Sequence, residues 1–126
     1  MPGIVERRFL DDRAITGDNV FSVDLGNAKT VVSVLHVKSI TGTPTTMSLI
    51  VTVYRLDPGT KKKLGAAIIT HTTVTELTSF PFLEDKDAAD TSAARFTGLF
   101  RVEIALSFTG GTSPSAVPTY TILGKE

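Results

Sequence analysis

The residues of this sequence that could carry chemistry include two histidines, His36 and His71. Each lies in a run rich in Thr and Val. A hydrolytic triad would need a histidine beside a carboxylate and an activated Ser or Thr, and the GxSxG motif that exposes such a serine on a sharp turn does not occur in the chain. We therefore expect strand histidines that face solvent or hydrogen-bond a neighbour, and no catalytic residue.

An acidic run and a glycine-rich loop are the other two candidates. Asp85, Asp87 and Asp90 lie in EDKDAADTSAARF, which lacks the central Gly and terminal Glu of a calcium-binding loop. The stretch TGGTSPS at 109–115 lacks the Lys and the following helix of a phosphate-binding loop. We expect the acidic run to be a solvated loop, and we expect no metal, no cofactor and no enzymatic activity.

A basic triplet at 61–63 follows the turn signal Asp-Pro-Gly at 57–59. Proline presets φ for the second position of a turn, and glycine accepts the positive φ that follows. The three lysines either keep the tip of a hairpin soluble or contact an acidic partner surface.

Length, charge and cysteine content limit the class of protein. The 126 residues suit a single domain, and the absence of cysteine excludes disulfides and Cys-ligated metal sites. Thirteen basic and 13 acidic residues cancel, so no global field would attract nucleic acid. No run reaches the ~18 apolar residues of a membrane helix, and the N-terminus lacks the apolar region of a secretory signal. We expect a soluble protein that binds neither nucleic acid nor membrane.

Hydrophobic periodicity predicts strands. Apolar residues alternate with polar ones in LFRVEIALSF, the period of a strand with one buried face. In MSLIVTVYRL and TVVSVLHVKSI both faces are partly apolar, which indicates central strands or strands covered on both sides. The pattern predicts an all-β fold, an antiparallel β-sandwich or small barrel of six to eight strands. We expect residues 19–126 to form this domain and residues 1–18 to form an N-terminal arm. The predicted core residues are Val51, Val53, Phe100, Val102, Ile104 and Leu106.

Two similar polar loops, ITGTPTT and FTGGTSPSAVP, each follow one predicted strand and precede another. We interpret each unit as a hairpin, with glycines at positions of positive φ and prolines that stiffen the loop. Two such hairpins running the same way would place both loops at one end of the sandwich.

The stretches VDLGNAKTVVSVLHVKSITGTPTTMSLIVTVYRL and GLFRVEIALSFTGGTSPSAVPTYTILGKE resemble small β-sandwich virion proteins of tailed bacteriophages. The shared features are the alternating strands, the SGTSPT-like loops and a C-terminal GGTSPS run, which is followed here by ILGK where those proteins close on L-x-G-K. The resemblance implies a capsid decoration protein on the head surface that bridges subunits of the major capsid protein. It further implies a homotrimer at threefold sites, assembled in the host cytoplasm.

Three alternatives remain: a tail or fibre component, a head–tail joining protein, and a carbohydrate-binding module. The absence of Trp and the presence of only two tyrosines, Tyr54 and Tyr120, argue against a sugar site, which usually presents aromatic platforms.

We expect the partner-binding residues in the N-terminal arm and the two polar loops. Apolar residues on a free arm are costly to expose, so the arm is expected to become ordered on a neighbouring subunit. The predicted interface residues are Ile4, Val5, Arg7, Arg8, Phe9, Leu10, Thr41, Gly42, Thr43, Gly110, Gly111 and Thr112.

Overall fold

The computed structural model describes residues 4–26, 28–72, 81–89 and 98–126. These residues form eight β-strands, and no helix long and apolar enough to cross a membrane occurs among them. The strands are β1 (Ile4–Phe9), β2 (Asn19–Asp24), β3 (Thr30–Thr41), β4 (Thr46–Arg55), β5 (Ile69–Thr72), β6 (Phe82–Ala89), β7 (Leu99–Thr109) and β8 (Ser115–Lys125).

The strands form two antiparallel sheets of four, with the orders β1-β8-β3-β6 and β2-β7-β4-β5. Successive strands alternate between the sheets except for β4 and β5, which are neighbours in the same sheet. This connectivity is that of an eight-stranded jelly roll. The predicted all-β antiparallel sandwich is confirmed.

The core lies between the two sheets, and the alternating residues of the long strands supply it. Val51, Val53, Phe100 and Val102 have no exposed surface, and Ile104 and Leu106 are buried with them. Tyr120 and Ile122 of β8, together with Leu35 of β3, cover these residues from the opposite sheet. The predicted core residues are therefore confirmed.

The two polar loops are not hairpin turns, which corrects the sequence-based interpretation. β3 lies in one sheet and β4 in the other, and β7 and β8 are divided in the same way. Each loop is therefore a corner between sheets, which pack ~10 Å apart in a sandwich. A Gly/Pro turn looks the same in sequence whether it reverses a strand within a sheet or crosses to the facing one.

The structure also differs from the expected arm at residues 1–18. Residues Ile4–Phe9 pair with β8 of the same chain over six residues. Val5 and Phe9 pack against the core, and the ring of Phe9 stacks on that of Phe21 at 4.4 Å between centroids. Of the apolar arm residues, Val5, Phe9 and Leu10 are therefore covered by the chain's own core, whereas Ile4 stays exposed.

The acidic run is a strand up to Ala89 rather than a loop, which is a further correction. β6 pairs with β3 from Phe82 to Ala89, while Asp90 lies outside the described residues. Charged side chains are common on edge strands, where they hinder pairing with another chain. The hydrophobic pattern therefore did not predict β6, because its sequence is largely polar.

We predict that Ile104→Asp unfolds the domain. Ile104 is 2% exposed between the sheets, and an unpaired buried carboxylate costs several kcal/mol against a total stability of roughly 5–15 kcal/mol. Ala105→Asp is the matched control, since Ala105 is the exposed neighbour on the same strand. Thermal unfolding followed by circular dichroism checks both variants; a folded Ile104→Asp protein would contradict the assignment of this face to the core.

Candidate functional site

The two polar loops meet at one end of the sandwich and form the paired-loop tip, residues 41–45 and 109–115. The Thr112 amide donates to Gly42 O at 2.9 Å, and the Thr45 amide donates to Thr109 O at 2.7 Å. Both loops therefore lie at the same end of the sandwich, as corners between sheets rather than as the hairpins from which this position was expected. Because each loop donates to the other, the two corners form one hydrogen-bonded unit.

The paired-loop tip requires glycine where the two backbones touch. A Cβ on Gly42 would lie 2.6 Å from the Pro114 Cα, and one on Gly111 would lie 2.5 Å from Gly42 O. Both glycines also have positive φ, as do Thr43 and Ser113. Positive φ is uncommon for a residue with a side chain. These two corners therefore hold a strained backbone that packing against each other fixes in place.

Predicted interface residues converge at the paired-loop tip. The side chains of Thr41, Thr43 and Thr112 are exposed there, and an open pocket lined by residues 40–44 lies beside them. The tip is thus a fixed polar surface with an adjacent depression, an arrangement suited to contact with another protein. It holds no acidic or basic side chain.

The predicted arm residues lie elsewhere. Ile4 pairs with Lys125 at the end of β8, whereas the tip adjoins the start of that strand. At ~3.3 Å per residue, Ile4 is roughly 30 Å from the tip. Arg7 and Arg8 are exposed on β1, while Leu10 packs against the core. The structure therefore separates the predicted interface residues into two patches.

A buried polar network that the sequence analysis did not predict joins the two sheets at their β5–β6 side. His71 of β5 has no exposed surface; its Nε2 lies 2.9 Å from Ser33 Oγ and its Nδ1 lies 2.8 Å from Glu84 Oε1. Ser33 Oγ also lies 2.7 Å from the Tyr120 hydroxyl. Ser33, Glu84 and Tyr120 belong to one sheet and His71 to the other, so the network is a link between sheets.

The protonation of His71 determines the direction of these hydrogen bonds. When His71 is neutral, Nδ1–H donates to Glu84, and Nε2 accepts the single proton of Ser33. When it is charged, Nε2–H donates to Ser33 Oγ, and Ser33 donates to Tyr120. Burial lowers the pKa of His71, although the adjacent Glu84 opposes this effect. Burial also raises the pKa of Tyr120, which keeps its phenol protonated.

Ser33, His71 and Glu84 have the separations of a hydrolytic triad, but Ser33 cannot meet a substrate in this structure. The residue has no exposed surface, and its hydroxyl lies between Tyr120 and His71 inside the sandwich. A serine nucleophile must contact the substrate carbonyl and have oxyanion donors beside it. The arrangement is one that links sheets, and the absence of enzymatic activity stays a prediction.

A sequence signal for this network exists. Ser33 occupies the inward phase of β3 between Val31 and Leu35, and His71 occupies that phase of β5 after Ile69. A polar residue in the apolar phase of a strand indicates a buried group that needs a hydrogen-bond partner. The partners themselves could not be identified, because they are 38 and 87 residues from Ser33 in the chain.

The basic triplet at 61–63 is divided between solvent and the sheet. Lys63 pairs with Glu103 at 2.9 Å, and its Nζ lies 4.0 Å from the centroid of the Tyr54 ring. Lys63, and with it Arg101, lowers the pKa of Glu103. Lys61 and Lys62 stay exposed. Lys63 thus holds the β4–β5 loop on the sheet, while the exposure of Lys61 and Lys62 fits both predicted roles, and each stays a prediction.

We predict that Gly42→Ala destabilises the domain by about 2 kcal/mol or more, because the new methyl would overlap Pro114 at a position of positive φ. Gly17→Ala is the matched control, since a Cβ there has open space. Denaturant unfolding of both variants provides the comparison. Equal stabilities would show that the two loops are not packed as described.

We predict that stability falls as the pH drops below about 6.5, because of His71. A lowered folded-state pKa means that the unfolded chain takes up a proton first, so this contribution is complete above pH 6.5 and is lost toward the folded-state pKa. Denaturant unfolding across this pH range should show a slope that His71→Gln flattens. His36→Gln changes the only other histidine and should keep this slope. If His36→Gln flattened the slope instead, His71 would not be the cause of the pH dependence.

Known proteins resemble this chain in structure but not in sequence. No protein-family model and no characterised protein sequence matches the chain. Three solved structures of infectious bursal disease virus proteins are similar: the viral particle (15% identity, TM-score 0.57), the virus-derived T=1 particle (18%, 0.59) and the VP2 subviral particle (15%, 0.57). Each match covers 97% of this chain, which spans about a third of the length of those proteins. The fold is therefore one that also occurs in virus particles.

Proposed function

We propose that this chain is a structural protein of a virus particle, and more specifically a decoration protein on the head of a tailed bacteriophage. In this role it binds the outside of the major capsid protein and bridges neighbouring subunits, as a homotrimer at threefold sites. A shell under internal pressure gains stability from such added contacts, which spread buried area over several interfaces.

The observation that carries the proposal is the eight-stranded jelly roll, found over nearly the whole chain and shared with segments of capsid proteins. A supporting observation concerns chemistry: the one triad-like arrangement in the described residues is sealed between the sheets at Ser33 and His71. A protein of this kind needs rigidity and surface complementarity rather than an accessible reactive group.

The paired-loop tip is the surface proposed to contact the capsid. Its backbone is fixed by hydrogen bonds between the loops at Gly42 and Thr109. Binding therefore requires little ordering of these loops, which lowers the entropic cost of association. The exposed threonines can hydrogen-bond a partner, and their methyl groups can be covered by it.

The alternative of a carbohydrate-binding module finds little support in the aromatic residues. Tyr120 is buried, and the half-buried ring of Tyr54 is covered on one face by Lys63. Phe9 and Phe21 stack on each other. Within the described residues, neither tyrosine offers a free platform for a sugar ring.

Cryo-electron microscopy of particles made by the virus that encodes the chain tests the proposal by location. We expect density for the eight-stranded sandwich on the outside of the head at its threefold positions. Density on the tail or at the head–tail junction would contradict decoration and favour the corresponding alternative. Absence of the chain from purified particles would contradict a structural role altogether.

Co-sedimentation with capsids that lack the protein tests the docking surface. Thr112→Arg places a long charged side chain on the paired-loop tip and is expected to weaken binding by about tenfold or more. Ala66→Arg adds the same side chain at an exposed position of the β4–β5 loop and should bind like the unmodified protein. Equal binding by the two variants would exclude the tip as the docking surface.

A further inference from the structure

The two edges of the β1-β8-β3-β6 sheet are complementary to each other. In the described part of the chain, β1 pairs only with β8 and β6 pairs only with β3. Among the described residues, each edge strand therefore has one side whose backbone groups have no strand partner. Such edges are templates for pairing with another strand unless the protein covers or blocks them.

The charges of the two edges are opposite. β1 has the sequence IVERRF, with two arginines against one glutamate, and β6 has the sequence FLEDKDAA, with three acids against one lysine. Arg8 does contact Glu6 at 3.5 Å and Asp11 at 3.9 Å. These pairs are exposed and contribute little, so the guanidinium can turn to a stronger acidic partner.

Exposed apolar residues mark the same two strands. Ile4 of β1 is 64% exposed and Leu83 of β6 is 69% exposed, and they are two of the three large apolar side chains exposed in the described residues. The third, Val20, lies on the edge strand of the other sheet. Pairing of the two oppositely charged edges would cover an exposed apolar residue on each of them.

The strand directions permit the two edges to pair. All neighbours in the sheet are antiparallel, so β1 and β6 run in opposite directions. When a second copy follows the first in the same orientation, its β1 lies antiparallel to β6 of the first. The pairing then continues the antiparallel pattern of the sheet without reversing the strand direction of either molecule.

We propose that the chain associates with further copies of itself head to tail, with the basic edge β1 of one copy paired to the acidic edge β6 of the next. Two β6 edges repel each other because both are acidic, and this repulsion favours the β1–β6 contact. A head-to-tail contact closes into a ring when the rotation between copies divides a full turn. Only the ring size, three, rests on the proposed capsid function; the contact itself does not.

Charge reversal at each edge, and at both together, tests this contact. Arg7→Glu with Arg8→Glu should weaken self-association by about tenfold or more, and so should Asp85→Arg with Asp87→Arg, because like charges then face each other. The fourfold variant that reverses both edges should regain association. Lys61→Glu with Lys62→Glu lowers the net charge by the same amount as the arginine reversal, but at an exposed loop, and should associate like the unmodified protein.

Sedimentation equilibrium of the purified protein gives the readout, and circular dichroism verifies that each variant is folded. The proposal is supported if the protein is a trimer, if each edge reversal dissociates it, and if the fourfold variant restores it. An open polymer that responds in the same way supports the contact and excludes the ring. A monomer at every concentration, or an oligomer indifferent to reversal at Asp85 and Asp87, overturns it. Because no capsid is present, failure here is distinct from failure of the decoration role.

Discussion

The contact between the two sheets depends on side chains, since no strand of one sheet pairs with a strand of the other in the described part of the chain. Apolar residues fill the middle of the sandwich. A different side-chain contact joins the two sheets along each of its long sides, at β1 and β2 and at β5 and β6. On one side Phe9 stacks on Phe21. On the other side His71 reaches across to Ser33 and Glu84. The Phe9–Phe21 contact is apolar and independent of pH, whereas the His71 network is polar and contains a titratable group.

This division explains where the polar groups of the protein are placed. A buried polar network is favourable only when its members are hydrogen-bonded, because low local dielectric makes an unpaired group costly. Ser33, His71 and Tyr120 meet this condition together, with Glu84 at the partly exposed end. The geometry that resembles catalytic machinery is thus used to join two sheets, and its burial separates it from any substrate.

Two surfaces carry the proposed interactions: the paired-loop tip at one end of the sandwich and the edges of one sheet. The paired-loop tip is fixed by close backbone contacts at Gly42 and Gly111. The edges β1 and β6 differ in charge and each exposes an apolar residue, Ile4 or Leu83. The proposed decoration role uses two distinct surfaces, one for the shell and one for further copies of the chain. The tip and the edges lie in different places on the fold and could be occupied at once.

The sequence by itself determined the strands of the core and the chemistry of the loops. The alternation of apolar and polar residues with a period of two, as from Phe100 to Leu106, is a local property of the sequence. The glycines and prolines that a corner between sheets requires are local in the same way. Only the tertiary structure decided which sheet each strand joins, because turn residues are the same in a hairpin and in a corner. It also decided the roles of β1 and β6, whose polar sequences become strands by pairing with a neighbour. The contact between Ser33 and His71 also depends on the tertiary structure. Packing brings these hydrogen-bond partners together from distant parts of the chain, and no local sequence pattern encodes the pair.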